Sequence, residues 1–361
     1  MKLLITSLAY AMLLMFGATA AAAPAQAENA KPNIAILATG GTIASRGADS
    51  MALTDYGSNA GMKHLGIQTM IDAVPEVKKF ANITGEQVFN VGSSKLAIEN
   101  WLILAKRTNE LLASKDIDGV VITHGTDTIE ETAYFLNLVV KSDKPVVLVG
   151  AMRPATGLSA DGPLNLANAV ALAASSEAKN KGVMVCMNDQ ISSAFGVMKM
   201  NTTNAATFQS PNTGYLGYMQ NFKPFFVSAP LKKHTYQTEF DVSDLTTLPR
   251  VEVNFTTLGS DGVLIDAAVA AGAKGIVNAG VGHANVPAAT LKSLQEAQKK
   301  GVLIVVGSRV DSGIVTPTTM HSKSGFVSAM MHNAQKARVL LMLALTKTNN
   351  VMEIQRIFDE Y

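Results

Sequence analysis

The 361-residue chain is 48% hydrophobic and 16% charged, too apolar and too evenly mixed for a disordered protein. Lys+Arg 30 against Asp+Glu 28 leaves a net charge of +2, which excludes the strong field that holds nucleic acid or an anionic membrane surface. One cysteine, Cys186, excludes an internal disulfide and a thiolate zinc cluster.

The chain opens with Met1-Lys2, an almost wholly apolar Leu3 to Gly17, an alanine-rich stretch, and Ala25-Gln26-Ala27, a small-x-small cleavage pattern. Residues 1–27 read as a secretory signal peptide, with a mature chain from Glu28 and a periplasmic or secreted product. The rival is an uncleaved anchor, but the uninterrupted strongly apolar core is shorter than the ~20 residues a span needs.

Short β-branched apolar runs then recur, most of them ending in a small or polar cluster. Ile34 to Ala38 precedes Thr39-Gly40-Gly41-Thr42; Gly119 to Ile122 precedes Thr123-His124-Gly125-Thr126-Asp127; Val146 to Val149 precedes Gly150-Ala151-Met152-Arg153-Pro154. Gly182 to Val185, Gly275 to Val277 and Val302 to Val306 repeat the pattern, and Cys186, in the apolar setting Val183 to Met187, reads as a core-strand residue. Continuous apolar character suits strands buried on both faces, hence a parallel sheet covered by helices. Helical spacing fills Ile98 to Leu112, Pro163 to Ala174, Ala288 to Lys300 and Asn333 to Thr346. Thr128-Ile129-Glu130-Glu131 has the form of a T-x-x-E capping box opening a helix that runs to Val140. The alternation predicts α/β: a larger N-terminal, doubly wound, mainly parallel sheet domain over 28–240 and a smaller C-terminal α/β domain over 251–361. Polar turn residues in Thr238 to Arg250 break the rhythm, and the linker is placed at 241–250.

In an open parallel sheet, ligands bind beyond the carboxyl ends of the strands. Thr39-Gly40-Gly41-Thr42 there reads either as a plain strand-to-loop turn or as a hydroxyl held beside free amides. No Walker-type G-x-x-x-x-G-K-[ST] occurs and no G-x-G-x-x-G follows a strand, so nucleotide binding lacks support. Thr123 to Thr128 sets hydroxyls, an imidazole and a carboxylate at a strand end and helix start, where amides can hold a carboxylate or an oxyanion. Asp127 reads equally as a helix cap, and His124 as a satisfied core histidine. The six histidines show no H-x-x-x-H pairing, so no metal is expected, and there is no G-x-S-x-G elbow. A threonine hydroxyl needs a neighbour to take its proton, and Tyr56, Lys199 and Asp127 are the groups on offer. Residue chemistry alone carries the reading to a hydroxyl-lined site in an α/β hydrolase or binding protein.

Pro32 to Ala44, Val121 to Thr128, Val149 to Pro154 with Ser159 to Pro163, Asn201-Thr202-Thr203 and Asn333 to Arg338, in this order, resemble the signatures of bacterial type II L-asparaginases and the related glutaminase-asparaginases. The resemblance spans essentially the whole mature chain. It implies hydrolysis of the side-chain amide of L-asparagine, with L-glutamine open as a second substrate, without metal or cofactor, in a periplasmic homotetramer built as a dimer of dimers. Carried over by position, Thr42 resembles the nucleophile and Tyr56 the tyrosine of the loop covering it. Thr126, Asp127 and Lys199 resemble the second triad. Gly41, Gly92, Ser93, Ser94, Thr126, Asp127 and Ala151 resemble the substrate-binding set, with the Gly41 and Thr126 amides facing the oxyanion.

The chain departs from the family in its second domain. Ile314 to Val327 holds no carboxylate where family members usually carry an acid, Leu258-Gly259-Ser260-Asp261 replaces a polar stretch, and Gly282-His283-Ala284-Asn285 replaces Gly-Asn-Gly-Asn. These departures keep open a second class, a periplasmic amino-acid binding or sensing protein that has lost catalysis on the same fold. The retained set from Thr42 to Lys199 argues against it.

Overall fold

The computed structural model describes residues 30–57, 61 and 64–361. The signal-peptide expectation, residues 1–27, lies outside them.

The first four runs of continuous apolar character form the centre of an eight-stranded sheet, and the last two the centre of a smaller one. The strands of the larger sheet are β1 (Asn33–Ala38), β2 (Asn82–Gln87), β3 (Gly119–Thr123), β4 (Val146–Val149), β5 (Val183–Met187), β6 (Gln190–Ser193), β9 (Gly217–Gln220) and β10 (Lys223–Phe226). The order is β10-β9-β6-β5-β4-β3-β1-β2. The five strands from β2 to β5 run parallel, and β6, β9 and β10 extend the sheet antiparallel. β3, β4 and β5 are buried at every position, which is why they carry no polar alternation. Cys186 is fully buried on β5, and burial pushes its thiol pKa well up. A two-stranded ribbon, β7 (Met198–Lys199) with β8 (Phe208–Gln209), stands apart. The smaller sheet, β11 (Val251–Phe255), β12 (Gly275–Gly280), β13 (Leu303–Ser308) and β14 (Val327–Ser328), is parallel throughout.

Helices complete both layers: α1 (Ile67–Asp72), α2 (Ile98–Ala113), α3 (Ile129–Val139) and α4 (Gly162–Ala173) with the first sheet, and α5 (Val263–Ala270), α6 (Ala288–Lys299), α7 (Thr319–Lys323), α8 (Ala334–Ala344) and α9 (Val351–Glu360) with the second part. None of these helices is long and apolar enough to cross a membrane. α3 packs on α8, so one apolar core runs from the first sheet into the second. Residues 241–250 form no helix or strand, yet Val242 and Leu248 are buried in that core.

The expected capping box is corrected. Thr128 is the N-cap of α3, but its hydroxyl donates 3.2 Å to Ser93 O instead of accepting from the helix. A tertiary partner has displaced the local one.

Where β1 lies between β2 and β3, the connections leave the sheet in opposite directions. That reversal is the switch point at which open α/β sheets leave a crevice. Register Ala38↔Thr123 brings both carboxyl ends level, and the Thr39 amide and hydroxyl both donate to Thr123 O, at 3.1 and 2.8 Å.

Two buried histidines tie stability to pH. Tyr134 Oη donates to His332 Nε2 and His332 Nδ1 to Ala329 O, each at 2.8 Å, and burial pulls the His332 pKa down to about 3. Burial likewise pulls His124 to about 4. Folded, both stay neutral; unfolded, both take a proton below about pH 6.5, so stability is full above that pH and is lost as pH falls toward 4. Each should remove roughly 2 kcal/mol between pH 7 and 5. Urea unfolding of His332→Gln at the two pH values should show a pH difference smaller than the parent's by about that amount; an undiminished difference contradicts the account.

Candidate functional site

The β1 turn, Thr39 to Thr42, and the β3 turn, Thr123 to Thr128, lie side by side at the switch point. Gly41 adopts φ 83° and ψ −171°, which an L side chain rarely adopts, and a Cβ there would lie 2.3 Å from the Gly125 Cα. A Cβ on Gly125 would in turn meet Ser93 Oγ at 2.6 Å. These two glycines let three backbone segments close on one point. Beyond Gly41, Thr42 opens a single 3₁₀ turn, Thr42–Ala44, and Ser45 Oγ donates 2.8 Å to Gly41 O to hold it. The following loop returns through the Gly47↔Tyr56 bridge and sets Tyr56 Oη 3.2 Å from Thr42 Oγ1.

On the other side, Lys199 on β7 reaches across. Its Nζ donates to Thr126 Oγ1 at 3.0 Å and to Asp127 Oδ1 at 2.7 Å. The lysine side chain is 17% exposed and the aspartate 64%, so the ammonium is pinned on the protein side while the carboxylate faces the opening. Asp127 therefore pairs with a cation and does not cap α3.

A cavity of about 120 Å³ lies between the two turns, well below the roughly 300–1,000 Å³ of drug-sized pockets. Gly41, Thr42, Tyr56, Ser93, Thr126 and Asp127 line it, and so do Gly92 and Ser94. Lys199 opens instead onto an adjoining depression that shares Asp127. Ala151 is fully buried in the core and its side chain does not line the cavity. His124 is fully buried with Nδ1 2.8 Å from Gly125 O, and it is a core residue. Sequence reasoning missed His64 and Lys95, which line the cleft from loops without periodic signal. It also missed Glu130, whose Oε2 accepts the Lys199 backbone N–H at 3.0 Å. Among the described residues, no group of three or more His, Cys, Asp or Glu could hold a metal ion.

The divergent segment of the second part contains α7. Thr318 caps that helix by accepting from the His321 amide, and the Thr316 amide donates 3.1 Å to His283 Nε2. His283 follows the carboxyl end of β12, where a second cavity of about 260 Å³ includes His283, Ser308, Asp311 and Asn333 in its wall.

The arrangement pairs one hydroxyl with a phenol and another with an ammonium, the equipment of acyl transfer by a hydroxyl nucleophile. Because Gly41 is the closest approach between the turns, Gly41→Ala should cost about 1–3 kcal/mol through a forced φ and a backbone clash. A thermal scan should show a lowered Tm; an unchanged Tm contradicts this packing.

Residues 33–231 match the model of the asparaginase N-terminal domain, and residues 250–358 that of the glutaminase/asparaginase C-terminal domain. A Haemophilus influenzae protein named "Probable L-asparaginase periplasmic" is 50% identical over 332 residues, 91% of this chain and 93% of that one. The "Glutaminase-asparaginase" of Pseudomonas fluorescens biotype A is 44% identical over 356 residues, 98% of this chain and 97% of that one. The crystal structure of a "Probable Cytoplasmic L-asparaginase" from Campylobacter jejuni superposes with a TM-score of 0.89 at 51% identity, covering 92% of this chain and 100% of that one. The chain belongs to the asparaginase and glutaminase-asparaginase family.

Proposed function

We propose that the chain is an L-asparaginase that hydrolyses the side-chain amide of L-asparagine to L-aspartate and ammonia through an acyl-enzyme on Thr42. The observation that carries this reading is that Thr42, bonded to Tyr56, and Thr126, bonded to Lys199 from the adjoining depression, face each other across one small cleft that Asp127 also lines. Thr42 Oγ1 attacks the amide carbon, and its proton passes by way of Tyr56 to the departing nitrogen. The C–N bond breaks, ammonia leaves, and an ester remains on Thr42. Water aligned by Thr126 and Lys199 then adds to the ester, a proton returns to Thr42, and aspartate is released. The Gly41 and Thr126 amides are assigned to the oxyanion. Asp127 is assigned to the substrate ammonium, and the loop Gly92-Ser93-Ser94 to its carboxylate. Ala151 is assigned no side-chain contact, because the whole residue is buried behind the cleft wall.

L-Glutamine is longer by one methylene, a difference a pocket discriminates by roughly 10- to 200-fold, so it is assigned as a slower second substrate. The assembly we assign is a homotetramer. α5 is apolar in sequence, yet of its residues only Ile265 is buried, while Val263 and Leu264 are 62% and 67% exposed and Phe255 of the edge strand β11 is 57% exposed. Such a face is the kind covered by another subunit. We place the domain boundary within 241–250 and the mature protein in the periplasm, starting at Glu28.

The test is ammonia release by the natively purified protein, with its mass taken from the same preparation. Asparagine turnover above glutamine turnover, a chain starting at Glu28 and an assembly of four chains are expected. Thr42→Ala should lower kcat at least about 1,000-fold with the fold intact. Retained turnover in Thr42→Ala, or no ammonia from either amide with folded parent protein, refutes the assignment.

A further inference from the structure

We propose that Glu130, Gln335 and Lys336 form a positioning latch that fixes Lys199 against Thr126 and Asp127, so that α8 of the second part completes the site of its own chain. The proposal rests on the reading that Lys199 serves the reaction.

Lys336 on α8 is 1% exposed, and lysines are almost never fully buried unless paired. Its Nζ donates to Phe195 O at 2.8 Å and to Val197 O. Burial lowers its pKa to about 8 against the opposing pull of Glu130. Glu130 on α3 is itself only 5% exposed. One of its oxygens accepts from the Lys199 backbone N–H and the other from Gln335 Nε2, each at 3.0 Å. Residues 195, 197 and 199, the segment that delivers Lys199 to the cleft, are thus each held at a backbone atom. Two anchors come from α8 directly and the third from a carboxylate that α8 holds. Phe195 adds a side-chain anchor, edge-on to His332 at 5.2 Å and 90°.

Lys336 gives its ammonium to two backbone carbonyls and Glu130 its carboxylate to a backbone N–H and a side-chain amide, so both charges hold the path of residues 195–199. Lys199 in turn has a long, rotamer-rich stem whose ammonium reaches two acceptors together only if its Cα is fixed. The latch fixes that Cα. None of its three side chains lines the cleft or the depression beside it, and they act through Lys199.

The test uses the full chain with Glu130→Ala, Glu130→Gln, Lys336→Met, Lys199→Met and the double variant Glu130→Ala/Lys199→Met, reading kcat, KM for L-asparagine and Tm. Glu130→Ala and Lys336→Met should lower kcat about 10- to 100-fold, the scale of a displacement near 1 Å, with KM within about threefold. Glu130→Gln keeps an acceptor for the Lys199 amide and should recover most of kcat. In the Lys199→Met background, Glu130→Ala should change kcat by less than about twofold, because both act on one group. An equal kcat loss from Glu130→Ala in both backgrounds, or a lowered Tm with kcat unchanged, overturns the latch. Wild-type turnover by Lys199→Met overturns instead the underlying reading of Lys199, and the latch with it.

Discussion

The closeness of two chain segments at Gly41 and Gly125 is the constraint on which the site depends. β1 and β3 pair in parallel, so their carboxyl ends leave the sheet level with each other. Side chains at these two positions would force the turns apart, since either Cβ would lie under 3 Å from the neighbouring segment. With glycine at both, Thr42 and Thr126 border one cleft small enough for an amino acid. The sheet supplies the crevice, because its strand order reverses there, and the glycines set its width.

Around that crevice the protein divides its polar groups by depth. Asp127 faces the opening, while Lys199 is mostly covered and held by two acceptors. Deeper still, His124 and His332 are kept neutral by burial, and Glu130 and Lys336 are hydrogen-bonded in the seam between α3 and α8. Buried polar groups that are hydrogen-bonded, as His332, Glu130 and Lys336 are, rigidify a core and specify one arrangement of it. The site is thus mounted on a seam that couples the two parts of the chain.

The central strands were legible because burial on both faces writes a continuous apolar run, as in Val146 to Val149. β2 left no such trace: Asn-Ile-Thr-Gly-Glu-Gln is an edge strand with no fully buried residue. The ribbon β7 and β8 is too short to signal. α9 carries a helical spacing, Ile354, Ile357 and Phe358 behind the Asn350 cap, but the sequence reading stops at Thr346. At the site, Thr42, Tyr56, Ser93, Thr126 and Asp127 were legible through family motifs and share one cleft, whereas motif position gave no hint that Ala151 turns its side chain into the core. In sequence, Glu130 is an interior position of a T-x-x-E pattern whose own signal is local. Its partners lie 69 and 205 residues away, and no short-range pattern encodes that distance.

The central claim is that Thr42 carries the acyl group. Rapid acid quenching of the protein during turnover of L-asparagine, followed by proteolysis and peptide mass spectrometry, tests it directly. The account predicts an aspartyl ester on the peptide containing Thr42, absent from Thr42→Ala. An ester on Thr126, or the same adduct in Thr42→Ala, would contradict it.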